Sequence, residues 1–392
     1  MSDVPMRPAT RVIHLAEGQS REARPLTTPI YETTTFLFDS AADVRAYNEG
    51  RSKGFLYSRY ENPTVVALEE KLAVLDGAES ALVFSSGMAA VATPLMGLLE
   101  AGDEVLCSAA IYGGTLRLMQ DVLPRFGLHT RFLELDEVRN PAPHIGPATR
   151  LLWFESPINP TLRCVDVRAV AAACREQGVL TVLDSTFASP FNQQPLALGV
   201  DLVMHSATKY LGGHSDITAG VVAGRRDLVG AIGQVRRWLG TVLDPQPAYA
   251  LARSLKTLEV RMGRHNSNAL AVARFLEADS RVSQVLYPGL PSHPDHAVAA
   301  TQMTGFGGMV CFDLGGRYDR ACSFFDRIRV FQRAASLGGV ESLCSLPVDT
   351  SQRGYSAEQL ARAGVTPGMV RLSVGLEDPA DLLADLDQAL PA

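Results

Sequence analysis

The stretch DVRAVAAACREQGVLTVLDSTFASPFNQQPLALGVDLVMHSATK, residues Asp166 to Lys209, decides the fold. Its first part, DVRAVAAACREQG, reads as helix, with apolar residues three and four apart. Two short β-rich runs follow, VLTVLDST (Val179 to Thr186) and DLVMHSA (Asp201 to Ala207). Apolar runs of five or six residues set between helices indicate parallel strands covered on both faces. Upstream the same alternation recurs in SALVFSS (Ser80 to Ser86), DEVLCSA (Asp103 to Ala109) and TRLLWFES (Thr149 to Ser156). The expected architecture is a doubly wound α/β domain. Asn62-Pro63-Thr64 ahead of VVALEEKLAVLDG marks a helix start, and Gly77 its end. Residues 1–60 have little periodicity and read as an arm. Residues 61–255 form the large domain. Residues 256–392 begin with long helical stretches and continue as a smaller α+β domain.

Composition excludes several classes. The chain of 392 residues is 46% hydrophobic with a net charge of -6, so it gains no counterion-release attraction for nucleic acid. The pairs Arg225-Arg226 and Arg236-Arg237 read as solvated helix faces. No apolar run approaches the ~20 residues of a membrane helix, and the N-terminus lacks the pattern of a signal peptide. The six cysteines are scattered without metal-ligand spacing, as expected of reduced, mostly buried thiols in a cytoplasmic protein. Of 36 basic residues only four are lysines, Lys53, Lys71, Lys209 and Lys256. A lysine kept in so arginine-rich a chain points to a need for its amine, because arginine forms no Schiff base.

In an open α/β sheet, ligands sit beyond the C-terminal ends of the strands. The residues there are Ser85 to Met88, Tyr112, Glu155 to Asn159, Asp184 to Thr186, and Ser206 to Lys209. Ser86-Gly87-Met88-Ala89 opens a helix, whose free N–H groups attract an anion; a plain Ser-Gly cap reads the same way. It matches neither GxGxxG nor a P-loop. Ser206 and Thr208 flank the position before Lys209, so both hydroxyls suit a phosphate while the amine reaches a carbonyl. The alternative, an exposed lysine at a strand end, is opposed by the shaped loop Gly212-Gly213-His214-Ser215-Asp216. Asp184 ends a buried strand, where it either caps the next turn or pairs with a pyridine nitrogen. Tyr112, beside Gly113 and Gly114, is either a core tyrosine or a ring that stacks on a planar cofactor. His205 and His214 show no metal spacing, and no GxSxG elbow is present.

SATKYLGGHSD (Ser206 to Asp216) resembles the lysine signature of the Cys/Met-metabolism (transsulfuration) family of pyridoxal-phosphate enzymes. YSRYENPT (Tyr57 to Thr64), SSGMAA (Ser85 to Ala90), YGGT (Tyr112 to Thr115), ESPINPT (Glu155 to Thr161), DSTFASP (Asp184 to Pro190), SLGGVESL (Ser336 to Leu343) and RLSVGLED (Arg371 to Asp378) follow in family order. The resemblance implies an aspartate-aminotransferase-like (type I) fold, with a central mixed, mostly parallel sheet and a smaller α+β C-terminal domain. It implies pyridoxal 5'-phosphate as cofactor, with Lys209 as its covalent lysine and proton carrier. It further implies that Asp184 pairs with the ring nitrogen and that Tyr112 stacks on the ring and takes part in catalysis. Gly87, Met88, Ser206 and Thr208, with Thr186 nearby, hold the cofactor, joined by Tyr57 and Arg59 from a neighbouring subunit. Asn159, Ser336, Arg371 and Arg117 bind substrate. A borrowed Tyr57 and Arg59 imply a homo-oligomer, commonly a dimer of dimers.

YGGT with Arg117 is similar to the cystathionine γ-synthase and γ-lyase branch, whereas methionine γ-lyases usually carry a cysteine where this chain has Gly114. Many cystathionine enzymes have a glutamate just before the serine of SLGG, and this chain has Ala335. The expected reaction is γ-replacement or γ-elimination on a homoserine-derived amino acid, most of all an O-acyl-homoserine plus cysteine. Cystathionine γ-lyase activity can accompany it, and the alternatives are methionine γ-lyase, O-acyl-homoserine sulfhydrylase, and a non-catalytic metabolite-binding regulator on the same fold.

Overall fold

A helix start built from Asn62, Pro63 and Thr64 sets the first layer. The Asn62 side chain accepts from the Thr64 amide, Pro63 occupies the first turn, and Gly77 closes the helix Pro63–Asp76 at φ +65°. The computed structural model describes residues 7–14, 25–52 and 54–391. Lys53 and residues 1–6, on which part of the N-terminal reading rests, lie outside the described residues.

The large sheet has seven strands: β1 (Ser80–Phe84), β2 (Glu104–Ser108), β3 (His129–Leu133), β4 (Thr149–Glu155), β5 (Leu180–Asp184), β6 (Leu202–Ser206) and β7 (Gly220–Gly224). Their order is β1-β7-β6-β5-β4-β2-β3, with β7 antiparallel to both neighbours and the remaining pairs parallel. The five β-rich runs of the sequence became β1, β2, β4, β5 and β6. Their central residues are buried, so apolar side chains face helices on both sides. β3 and β7 were not anticipated. β3 is an edge strand that alternates exposed and half-buried residues, and β7 is a bare GVVAG between glycines.

The glycine that begins β7 is a packing requirement. A Cβ at Gly220 would collide with the carbonyl oxygen of Ser86 and lie 2.6 Å from the Ala90 Cβ. Gly220→Ala is therefore expected to destabilise the fold by about 1–3 kcal/mol. A lowered thermal midpoint checks this; an unmoved midpoint would show that β7 shifts freely.

The second sheet comprises β8 (Gln284–Leu286), β9 (Met309–Asp313), β10 (Gln332–Arg333), β11 (Leu343–Ser345) and β12 (Met369–Ser373), ordered β10-β11-β12-β9-β8. It packs with the helices Leu258–Ala278, Tyr318–Arg327 and Pro379–Ala389 around Phe312, Phe324 and Leu372. Asp295 ties this region to the large sheet: it accepts from Arg139 (2.5 Å), Arg163 (2.6 Å) and the Cys164 amide (3.0 Å).

Three details depart from the sequence reading. Among the described residues the arm contains two short helices, Pro8–His14 and Ala41–Asn48. Arg236 is not on a solvated face: it is buried, donating to Glu69 Oε1 (2.5 Å) and the Val83 carbonyl (2.7 Å), because its helix Arg226–Leu239 lies against β1. Lys71 is also buried, its amine donating to the Val12 carbonyl at 3.3 Å, so one scarce lysine anchors the arm. All six cysteines are free and five are buried.

Candidate active site

The C-terminal ends of β1, β2, β4, β5 and β6 all open on one edge of the large sheet, and a cavity of about 670 Å³ lies there. Twelve of the expected site residues line it: Gly87, Met88, Tyr112, Arg117, Asn159, Asp184, Thr186, Ser206, Thr208, Lys209, Ser336 and Arg371. Tyr57 and Arg59 do not. Tyr57 is 40% exposed, and the Arg59 guanidinium stacks 4.9 Å from the Tyr60 ring centroid and bonds the Arg237 carbonyl.

Lys209 stands at the centre, its Nζ donating to Ser336 Oγ at 2.9 Å. Burial, followed by the positive charge of Arg371, lowers its pKa from 10.5 to about 8. The backbone beneath it is fixed. The Gly213 amide donates to the Lys209 carbonyl (2.7 Å) and the Gly212 amide to that of Ala207 (2.8 Å). The buried Arg261 guanidinium donates to the carbonyls of Tyr210 (2.6 Å), Ser254 (3.0 Å) and Leu211 (3.4 Å). Gly213 has φ +71°, and a Cβ there would run into that guanidinium, so both the turn and the packing require glycine.

Asp184 is held by Thr186, whose amide (3.0 Å) and hydroxyl (2.5 Å) both donate to Oδ1. Burial raises the Asp184 pKa, against the lowering effect of those bonds. The charge of the neighbouring His205 also lowers it. Behind Asp184 the buried His205 bonds Asp76 Oδ1 at 3.0 Å; burial lowers the His205 pKa, but the charge and hydrogen bond of Asp76 together with the charge of Asp184 raise it on balance.

Arg371, on β12, is buried in the opposite wall. It donates to Asn159 Oδ1 (2.9 Å) and the Ser336 carbonyl (3.3 Å), leaving a planar donor fork beside Lys209. Glu155, to which the sequence reading gave no role, joins two of these groups. Its Oε1 accepts from the Tyr112 amide (2.8 Å) and its Oε2 from the Asn159 amide (3.4 Å). Its pKa is raised by burial and then by the charge of Asp184. The turn Asp349–Arg353, from the second sheet, also reaches the cavity and was missed; a loop without periodicity carries no sequence signal.

The residues fit pyridoxal phosphate. A Cβ at Gly87 would lie 2.8 Å from Ser206 Oγ, so the first turn of the helix Gly87–Leu98 presents bare backbone there. Ser86 Oγ caps the Ala89 amide, which leaves the amides of Gly87 and Met88 for an anion. The Thr208 hydroxyl is shared with the Ala219 backbone, donating at 3.2 Å and accepting at 3.0 Å. Tyr112 is 47% exposed at the cavity rather than packed in the core. An aromatic face, a buried carboxylate, an anion cradle and a desolvated amine thus surround one volume. Among the described residues there is no cluster suited to a metal ion and no helix long and apolar enough to cross a membrane.

Known proteins agree with this geometry. The chain is 44% identical over 387 residues to cystathionine γ-lyase of Rattus norvegicus, covering 98% of this chain and 95% of that one. It is 42% identical over 386 residues to L-methionine γ-lyase of Pseudomonas putida, covering 98% and 97%. The solved structure of metB from Corynebacterium glutamicum superposes with a TM-score of 0.91 at 39% identity, covering 98% of each chain. The family model described as Cys/Met metabolism PLP-dependent enzyme matches residues 9–391. With the lysine, the carboxylate and the anion cradle on one sheet edge, this match over nearly the whole length means that the chain belongs to the Cys/Met-metabolism family of pyridoxal-phosphate-dependent enzymes.

Proposed function

We propose that the protein catalyses γ-replacement on an O-acyl-homoserine, with cysteine as the incoming thiol, in the manner of a cystathionine γ-synthase. Pyridoxal phosphate, when bound, supplies the electron sink that makes the substrate's Cα and Cβ protons acidic. Lys209 is the covalent lysine and the proton carrier. Asp184, oriented by Thr186, pairs with the ring nitrogen. Tyr112 covers the ring, and the Gly87 and Met88 amides with Ser206 and Thr208 hold the phosphate. Arg371, with Asn159 and Ser336, grips the α-carboxylate and so points Cα at Lys209. Lys209 takes the Cα proton and then one from Cβ, the γ-substituent leaves with its bonding electrons, and the thiol adds at Cγ as protons return. Tyr57, exposed on the arm, and the half-buried Arg59, both away from the chain's own cavity, complete a neighbour's site in a dimer of dimers. Six free thiols support a reducing, cytoplasmic setting.

The observation that carries the reading over a methionine γ-lyase is the packing at Gly114. A Cβ there would lie 2.6 Å from Tyr112 Cε1 and 2.9 Å from Met88 Sδ. The position therefore has no room for the cysteine usual in methionine γ-lyases unless Tyr112 moves. Purified enzyme given O-acyl-homoserines with cysteine, cystathionine alone and methionine alone should turn over the first pair fastest. Preference for cystathionine alone would reassign it as a γ-lyase, and inactivity on all three would defeat the reading.

A pH dependence follows from Lys209. Only the neutral amine attacks an aldehyde, and with its pKa at about 8 the neutral fraction rises with pH up to that point and then levels. The rate at which cofactor-free protein recovers its visible absorption on adding pyridoxal phosphate should rise about tenfold per pH unit below 8 and flatten above it. A rate still climbing beyond pH 10 would mean an ordinary exposed lysine.

A further inference from the structure

Asp76 is a carboxylate in an unfavourable place. It is the last residue of the helix Pro63–Asp76, where the helix dipole repels negative charge, and it is buried. Its Oδ2 has no hydrogen-bond partner. Among the described residues its one ion-pair partner is His205, whose Nε2 lies 3.0 Å from Oδ1. A buried acid with one oxygen unmet is strongly destabilising unless the group beside it carries the opposite charge. Neither residue lines the cavity.

The pair nevertheless connects to the cavity through the sheet. Asp184 ends β5 and stands in register with Met204 of β6. Side chains alternate along a strand, so Asp184 and Met204 face the cavity while His205, the next residue, points to the opposite face and meets Asp76. The backbone joins the two faces. The Ser206 amide, part of the peptide that follows His205, donates to Thr186 Oγ1 at 2.8 Å, and that hydroxyl donates to Asp184 Oδ1 at 2.5 Å. The ring that Asp76 anchors therefore fixes the peptide that aims the Thr186 hydroxyl at Asp184. Charge follows the same path. Burial opposes the charged form of each group; against it act Asp76, then Asp184 and the Ser185 backbone at His205, and Thr186 and then His205 at Asp184. Glu155, the other acid beside Asp184, has its pKa raised to about 8 by burial and by the Asp184 charge, so it adds little negative charge at neutral pH.

We propose that Asp76 and His205 are positioning residues for the cofactor: from the far face of the sheet the ion pair holds Asp184 ionised and aimed, and so sets how strongly the site prefers a protonated ring nitrogen. Two carboxylates and one imidazolium leave a single negative charge, which one pyridinium neutralises. The proposal rests on the pairing of Asp184 with that nitrogen.

The test compares pyridoxal phosphate with its 1-deaza analogue, in which C–H replaces the ring nitrogen while the phosphate and the aldehyde remain. Each is titrated into full-length protein stripped of cofactor, and the ratio of the two dissociation constants is read by fluorescence. The wild type should prefer pyridoxal phosphate by about 10- to 100-fold, the gain of one charge-assisted hydrogen bond. His205→Gln keeps a donor for Asp76 without the charge, and the ratio should fall about tenfold. Asp76→Asn should lower it likewise, by leaving the imidazole without its counter-charge. A pair that merely tied the helix to β6 would weaken both ligands equally, so an unchanged ratio in both variants overturns the proposal. Asp184→Asn separates the two readings. A ratio that survives this change removes the Asp184 pairing and the proposal with it; a ratio lost in Asp184→Asn but intact in the other variants removes the proposal alone. Neutron diffraction from wild-type holoenzyme crystals needs no variant to fold. Deuterium on both ring nitrogens of His205 is expected, and a neutral ring overturns the proposal.

Discussion

Lys209→Ala is expected to lower kcat by about 10⁴-fold or more, because in the proposed mechanism it removes both the covalent anchor and the proton carrier. Among the described residues Lys209 is the sole lysine lining the cavity, and its amine donates to Ser336 Oγ. The loop that carries it is held by backbone and Arg261 contacts that alanine leaves intact. The variant should therefore fold with an unchanged circular dichroism spectrum while losing activity. Borohydride reduction of the wild-type holoenzyme and peptide mapping should tag Lys209, and the variant should lose the tag. A tag on another lysine would remove the basis of the mechanism.

Arg371→Lys is expected to lower kcat/KM by about 100- to 1,000-fold, mostly through KM, because truncating one partner of a buried charge pair weakens binding by about 2–5 kcal/mol. Lysine keeps the charge but loses the planar fork and the geometry set by Asn159 Oδ1 at 2.9 Å and the Ser336 carbonyl at 3.3 Å. The charge near Lys209 is retained, so the pH dependence of cofactor recombination should move little. Loss confined to kcat at unchanged KM would show that Arg371 orients the reacting atoms without binding the ground-state carboxylate.

How much of this was legible depended on the range of the signal. Strands buried on both faces appear as apolar runs, so β1, β2, β4, β5 and β6 could be read directly. β7 could not: GVVAG is too short, and it becomes a strand only because β1 and β6 leave a gap between them that small residues fill. The arginine pairs that bound the helix Arg226–Leu239 read as helix faces, but the inward packing of Arg236 against β1 could not be read from them. Ser206, Thr208 and Lys209 are local in sequence and were found together. Ser336 and Arg371 lie more than a hundred residues further on, and family resemblance alone joined them to the lysine. Glu155 was recognised as a strand-end residue, yet its bond to the Tyr112 amide exists only after the loops following β2 and β4 converge. Arg353 had no signal at all, since nothing in an aperiodic loop reveals which cavity it will reach.

Arg261 has a consequence for how the lysine moves. Its charge is met by carbonyl dipoles rather than by a carboxylate, and burial lowers its pKa only to about 10, so it stays cationic at neutral pH and keeps all of those carbonyls aligned. The Cα of Lys209 is thus a fixed pivot. On the proposed mechanism, an amine that visits successive carbons of a substrate then travels by rotating its own methylene chain about that pivot, and the timing of proton delivery becomes a matter of side-chain torsion instead of loop displacement.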